Sequence, residues 1–261
     1  MAEYTRTSKE ILRSRGDTRS MRYVPVSIKR IYRYGRRVLK TAVGKDHLIG
    51  KDVRIPNVTL GQDWGDWTVA DRLVSRDSIV YSVGIGEDIS FDLALMERYG
   101  CKVYGWDPTP LATNYLASRK TSNGFMFMPY GIGIEDRATE FGGKTVGDRS
   151  FSVRSLNPSK LLLEVRKLSS MMKLLNHDHV DLLKMDIEGS ENDVIRQIVE
   201  EKIVIPQLLI EFHHGWYRIP VESTKEHIQM LKLAGYLVFG VSAVGREFSF
   251  IHNSVLNRAR G

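Results

Sequence analysis

A chain of 261 residues, 42% hydrophobic and 26% charged, is long enough to bury one sizeable α/β core, and no apolar run approaches the ~18 residues a membrane-spanning helix needs. Its one cysteine, Cys101, excludes an internal disulfide; with no apolar leader at the N-terminus, the composition points to a cytoplasmic protein. The formal net charge of +7 is uneven: residues 1–45 hold 13 Lys and Arg against 3 Asp and Glu, while the rest hold 25 against 28.

Residues 1–45 therefore read as a basic, partly flexible N-terminal segment ahead of a domain over residues 46–261. Residues 27–42, SIKRIYRYGRRVLKTA, set Ile28, Ile31, Val38 and Leu39 among six basic residues, which predicts an amphipathic helix weakened by Gly35. Such a helix either packs on the domain edge with its charges solvated or meets an anionic lipid, glycan or nucleic-acid surface. Residues 46–72 read as an irregular lead-in, whose Trp64 and Trp67 either pack on the core or wall a ligand.

From there the alternation is regular. Strands are predicted over residues 78–84, 101–107 and 125–132, with helices over 89–99 and about 111–120 between them. Residues 137–156, with Gly143 and Gly147, suggest a hairpin or extended insertion. A short helix in SSMMKLLNH, a strand over 181–186, a helix opened by Ser190 as a cap, a strand over 207–212 and a helix ending at Gly235 follow. YLVFGVSAV and REFSFIH close the chain as an antiparallel pair joined around Gly245. Strands separated by helices imply an α/β fold, with a mainly parallel sheet covered on both faces.

In such sheets ligands bind beyond the carboxyl ends of the strands. The first strand runs into YSVGIGEDIS, where Gly84 and Gly86 allow a tight turn and close approach of a ligand. The second ends at Asp107, Pro108 and Thr109, and Asp107 can accept hydrogen bonds from ribose hydroxyls. Gly133, after the third strand, can flank an adenine edge. A dinucleotide fingerprint would place a third glycine at Ile89; the turn carries Glu87 and Asp88 instead, and two acids repel a pyrophosphate. They suit the sulfonium and ammonium of S-adenosylmethionine, with a nicotinamide cofactor as the alternative. Asp186 and Glu188, two apart, share a side with Lys184 while the strand persists; Glu211 and His213 share a side, and His214 faces the other. His213 is the best candidate base, Glu188 its rival, and Asp186 and Glu191 alternatively cap the next helix. A metal held by Asp186, Glu188 and His213 is conceivable, but no spacing fixes a coordination geometry and none is assigned. His177 and His179 read as a turn.

At these residues the chain resembles the FkbM family of S-adenosylmethionine-dependent methyltransferases, from about residue 61 to 252. KMDIEGSE, residues 184–191, is similar to the family's K-x-D-x-E-G-x-E signature, and GEDISFD, WDPTP, LLIEFHH and GREFSFI resemble one bacterial-type subgroup. The resemblance implies a seven-stranded sheet of order 3-2-1-4-5-7-6 and methyl transfer to a hydroxyl of a small-molecule or glycan acceptor, often a sugar, glycolipid or secondary metabolite. It implies that Gly84, Gly86 and Asp107 hold the cofactor and that Asp186 lies near its methionine end. The chain departs from the wider class at Ser82, where many members have an acid, and at Asp88, where they have a third glycine.

Overall fold

The computed structural model describes residues 26–62, 65–119, 123–143, 152, 159–216 and 218–260. The expected flexibility of residues 1–25 and the role of Trp64 lie outside these.

The N-terminal helix forms as predicted: α1 spans Val26–Ala42. The lead-in is not irregular. It contains an antiparallel hairpin, β1 (Asn57–Leu60) with β2 (Trp67–Ala70), and β2 is buried where Trp67 tilts against Phe91. Next come β3 (Ile79–Val83), α2 (Ser90–Tyr99), β4 (Lys102–Trp106), α3 (Pro110–Ala117) and β5 (Phe125–Met128). The chain continues through β6 (Gly131–Ile132), β7 (Arg137–Gly143), β8 (Ser159–Arg166) and α4 (Leu168–Leu174). It ends with β9 (Leu182–Met185), α5 (Glu191–Glu200), β10 (Gln207–Glu211), α6 (Val221–Leu233), β11 (Tyr236–Val241), β12 (Glu247–His252) and α7 (Leu256–Arg260).

Seven strands form the main sheet in the order β11-β12-β10-β9-β3-β4-β5. Renumbered within the sheet, this is 3-2-1-4-5-7-6 read from the β5 edge. Every pairing is parallel except those of β12, which runs antiparallel to both β10 and β11. Alternate side chains fall on opposite faces. Tyr81, Val83, Leu183, Met185, Leu208 and Ile210 pack under α4, α5 and α6. Val80, Val103, Leu182 and Leu209 pack under α2, α3 and the β1–β2 hairpin. Each fully buried aliphatic or aromatic side chain contributes about 1.5–3 kcal/mol.

The strand expected over 125–132 splits in two. Pro129 has no amide to continue the ladder, so β5 stops at Met128. Gly131 and Ile132 leave as β6 for a second sheet of order β6-β8-β7. The expected insertion contributes β7 to that sheet, paired antiparallel with β8.

A candidate active site at the carboxyl edge

β3 delivers Val83 into a turn that needs glycine at two places for different reasons. Gly84 has φ +82°, and a Cβ there would fall 1.7 Å from the carbonyl oxygen of Asp186. The turn is therefore pressed against the end of β9. Gly86 has φ +54°, and nothing lies within 4 Å of where its Cβ would be. That position faces open space.

Two side chains fix the turn from either side. Lys184 on β9, buried, donates through Nζ to the carbonyls of Val83 and Gly84 and lies 5.6 Å from the Trp67 ring centre. Asp107, at the end of β4, accepts at Oδ2 from the amides of Ile85 and Gly86, both at 2.9 Å, and at Oδ1 from the amide (2.8 Å) and hydroxyl (2.5 Å) of Thr109. Those four bonds occupy about all the lone-pair sites of a carboxylate. Asp107 is thus a strut of the turn, and the Thr109 hydroxyl is the one side-chain donor among its four partners.

The turn opens on a cavity of about 480 Å³ at the carboxyl edge of β3, β4, β9 and β10. Gly84, Gly86, Glu87, Asp88, Asp107, Thr109, Asp186 and Glu188 all line it, as their places in the sequence suggested. Trp67, Phe91, Ile132, Phe141 and Trp216 form its apolar walls. Gly133 is not among the lining residues: its Cβ position abuts Val165, and its amide bonds to Arg166. Gly131 and Ile132 line the cavity in its place.

His213 also differs from expectation. It is 3% exposed and lies behind the cavity wall among four carboxylates. Its Nδ1 lies 2.9 Å from Glu191, and its Nε2 lies 3.6 Å from Asp186, 3.6 Å from Glu188 and 3.9 Å from Glu211. Burial alone would push its pKa down, but the Glu191 hydrogen bond and the charges of Glu191, Asp186 and Glu211 outweigh it, raising the pKa to about 10. The imidazole therefore favours its protonated form, which argues against the role of base. Asp186, Glu211 and His213 bring ligand-type atoms within 4.8 Å of one another.

Period-two spacing does not place Asp186 and Glu188, because β9 ends at Met185 and Glu188 has φ +52°. They meet through His213. Ser190 makes no side-chain cap at the start of α5. Glu191 braces the turn before the helix instead: its Oε1 accepts from the amides of Ile187 and Gly189 as well as facing His213. His214, as expected, faces the other way, with Nε2 3.5 Å from Asp46. His177 sits under the sheet, its Nδ1 2.9 Å from the Tyr81 hydroxyl.

Arg246 and Glu247 line the cavity; the GREFSFI segment that holds them suggested no role for either. The available signal is topological. β12 runs antiparallel, so its start, not its end, lies at the ligand edge, with Glu247 opposite Glu211. Burial and the nearby Asp186 charge push the Glu211 carboxyl well above the ordinary carboxylate range, and burial does the same to Glu247.

The sheet order and the glycine turn are those of a class I methyltransferase fold. The chain belongs to the methyltransferase FkbM domain family, which matches residues 79–238. It is 24% identical over 162 residues to "Probable methyltransferase-like protein 24" of Rattus norvegicus, covering 61% of this chain and 39% of that protein. The Homo sapiens protein of the same name is 22% identical over 204 residues, covering 76% and 50%. The chain spans half or less of the length of these curated relatives. Among solved structures, the methyltransferase FkbM of Methylobacillus flagellatus KT is similar over 68% of this chain and 44% of its own (TM-score 0.43, 14% identity). Aeropyrum pernix fibrillarin in complex with natively bound S-adenosyl-L-methionine is similar over 76% and 84% (TM-score 0.38, 12% identity).

Proposed function

We propose that the chain is an S-adenosylmethionine-dependent O-methyltransferase acting on a hydroxyl of a carbohydrate, glycolipid or secondary metabolite. The observation that carries this reading is the make-up of the cavity, where a glycine turn with open space at Gly86 faces a wall of carboxylates. The donor set fits the cofactor. Gly84, Gly86, Asp107 and Thr109 would hold the adenosine side, while Glu87, Asp88 and Asp186 offer negative charge to a sulfonium and an ammonium. The same acids disfavour a dinucleotide, as does the buried Ile89 at the third glycine position. When bound, the cofactor supplies an electrophilic methyl group.

The chain's own residues supply positioning and a proton acceptor. Trp67 and Trp216 offer apolar faces to a sugar ring. Glu211 takes the acceptor proton: its raised pKa makes it a stronger base than an ordinary carboxylate. The His213 cation beside it keeps the cluster from accumulating charge. Glu188 is the second candidate base. The cytoplasmic setting is part of this proposal and rests on the lone, buried Cys101. So is the division into a basic segment over residues 1–45 and a catalytic domain over 46–261.

Turnover across hydroxyl acceptors, read as S-adenosylhomocysteine release, tests the proposal. Glu211→Gln should lower kcat by roughly 10²–10⁴-fold with cofactor affinity retained. Glu188→Gln should cost less. A Glu211→Gln enzyme at full rate would remove the proposed base.

A further inference from the structure

A second cavity, of about 640 Å³, adjoins the first; Glu211, Trp216, Arg246 and Glu247 line both. Its far side is α1 and the turn after it, contributing Arg33, Arg36, Arg37, Lys40 and Lys45. We propose that this cavity binds an anionic group of the methyl acceptor, a phosphate, sulfate or carboxylate, while the acceptor hydroxyl lies in the first cavity. The inference rests on the methyltransferase reading and adds the substrate's charge to it.

The orientation of α1 is the first argument. An amphipathic surface helix normally turns its apolar side to the core. Here Arg33, Arg36, Arg37 and Lys40, at helical spacing, face the cavity, while Ile31 and Leu39 are 72% and 70% exposed. Arg37 holds the helix in this pose. It is 5% exposed; its Nε donates to the carbonyl of His47 at 2.8 Å and lies 3.8 Å from Asp46. The turn before β12 is shaped around it, since a Cβ on Gly245 would fall 2.2 Å from the Arg37 Nε. Burying a guanidinium in this way costs free energy that a solvated helix would not spend.

The charge balance is the second argument. Six cations line the cavity, Arg246 included, against Asp46, Glu211, Glu222 and Glu247. Among the described residues no acid lies within ion-pair distance of Arg36, Lys40 or Lys45. Glu247 holds its proton more tightly than an ordinary carboxyl, which lowers the opposing charge further. Arg246, 4.7 Å from the Trp216 ring centre on the shared wall, links the anion subsite to the reacting edge. A neutral acceptor would leave Arg36, Lys40 and Lys45 without an anionic partner.

The full chain, saturated with S-adenosylhomocysteine, is titrated with inorganic phosphate at constant ionic strength. Saturable binding is expected, weakened at least tenfold in the exposed-residue variant Arg36→Gln/Lys40→Gln with S-adenosylhomocysteine affinity unchanged. Cosedimentation with phosphatidylcholine vesicles, with and without phosphatidic acid, separates the sources of the anion. Retention that requires phosphatidic acid and fails in the double variant assigns the subsite to a lipid headgroup. Phosphate binding without retention assigns it to a soluble anion. No saturable phosphate binding, or equal binding in the double variant, overturns the proposal. Normal S-adenosylhomocysteine binding in that case leaves the methyltransferase reading intact, whereas its loss in the wild-type chain overturns that reading instead.

Discussion

His213 is surrounded by Glu191, Asp186, Glu188 and Glu211 and takes the role of a counter-cation. Its folded pKa of about 10 stands above the ordinary 6.5, so the folded state binds this proton more tightly than the unfolded chain. The stability it contributes is complete below about 6.5 and is lost as the pH rises through about 10. Urea unfolding across that window should show wild-type stability falling with pH and a flatter profile for His213→Gln. At neutral pH the variant should be less stable by roughly 3–5 kcal/mol, the cost of removing one partner from a buried ionic cluster. Equal slopes for both proteins would mean that His213 does not hold the proton. Glu211 makes a separate kinetic prediction. Its carboxyl must ionise to act, and its pKa is raised, so kcat should climb with pH from the carboxylate range upward. Glu211→Gln should lose that limb in the pH–rate profile. The residue types at this site were legible in sequence, because acids at strand ends stand out against apolar runs. Which of them is the base was not: the choice depends on how four carboxylates converge on one imidazole, a property of packing across β9, β10 and α5.

The turn between β3 and α2 offers a paired test, because its two glycines are constrained differently. Gly84→Ala drives a methyl into the Asp186 carbonyl as well as straining φ. It should destabilise the fold by more than about 2 kcal/mol in thermal or urea unfolding. Gly86→Ala meets no atom, so only the backbone strain remains, about 1 kcal/mol. Gly86 lines the cavity, and calorimetry should show weaker S-adenosylmethionine binding from a nearly intact fold. Equal stability losses would contradict the geometry described. The β3–α2–β4 unit was readable because Gly, buried strand and terminal acid fall in one short stretch. The β1–β2 hairpin was not, since its strands have four residues each and β1 is largely exposed, giving little periodic signal. β8 escaped for a different reason: Leu161, Leu163 and Val165 face inward, but Leu162 on the outer face is also apolar and 69% exposed, so the run Leu161–Leu163 hides the alternation.

At the level of the whole molecule, regular alternation from β3 to β12 and two closing strands were enough to give the topology, because parallel strands need covered faces and right-handed crossovers. The placement of α1 was beyond sequence reasoning. Its periodicity announces an amphipathic helix but does not say which side meets the domain, and the buried Arg37 reverses the usual choice. The consequence is a molecule with two adjoining cavities, acidic on the side of the glycine turn and basic beyond Arg246. Everything proposed for catalysis depends on the first being a cofactor site. The decisive measurement is a calorimetric titration of the full chain with S-adenosylmethionine and S-adenosylhomocysteine, with Asp107→Ala as the control. The account predicts saturable 1:1 binding of both, weakened at least tenfold when the Asp107 strut is removed. No heat from either ligand, or binding indifferent to Asp107, would contradict it.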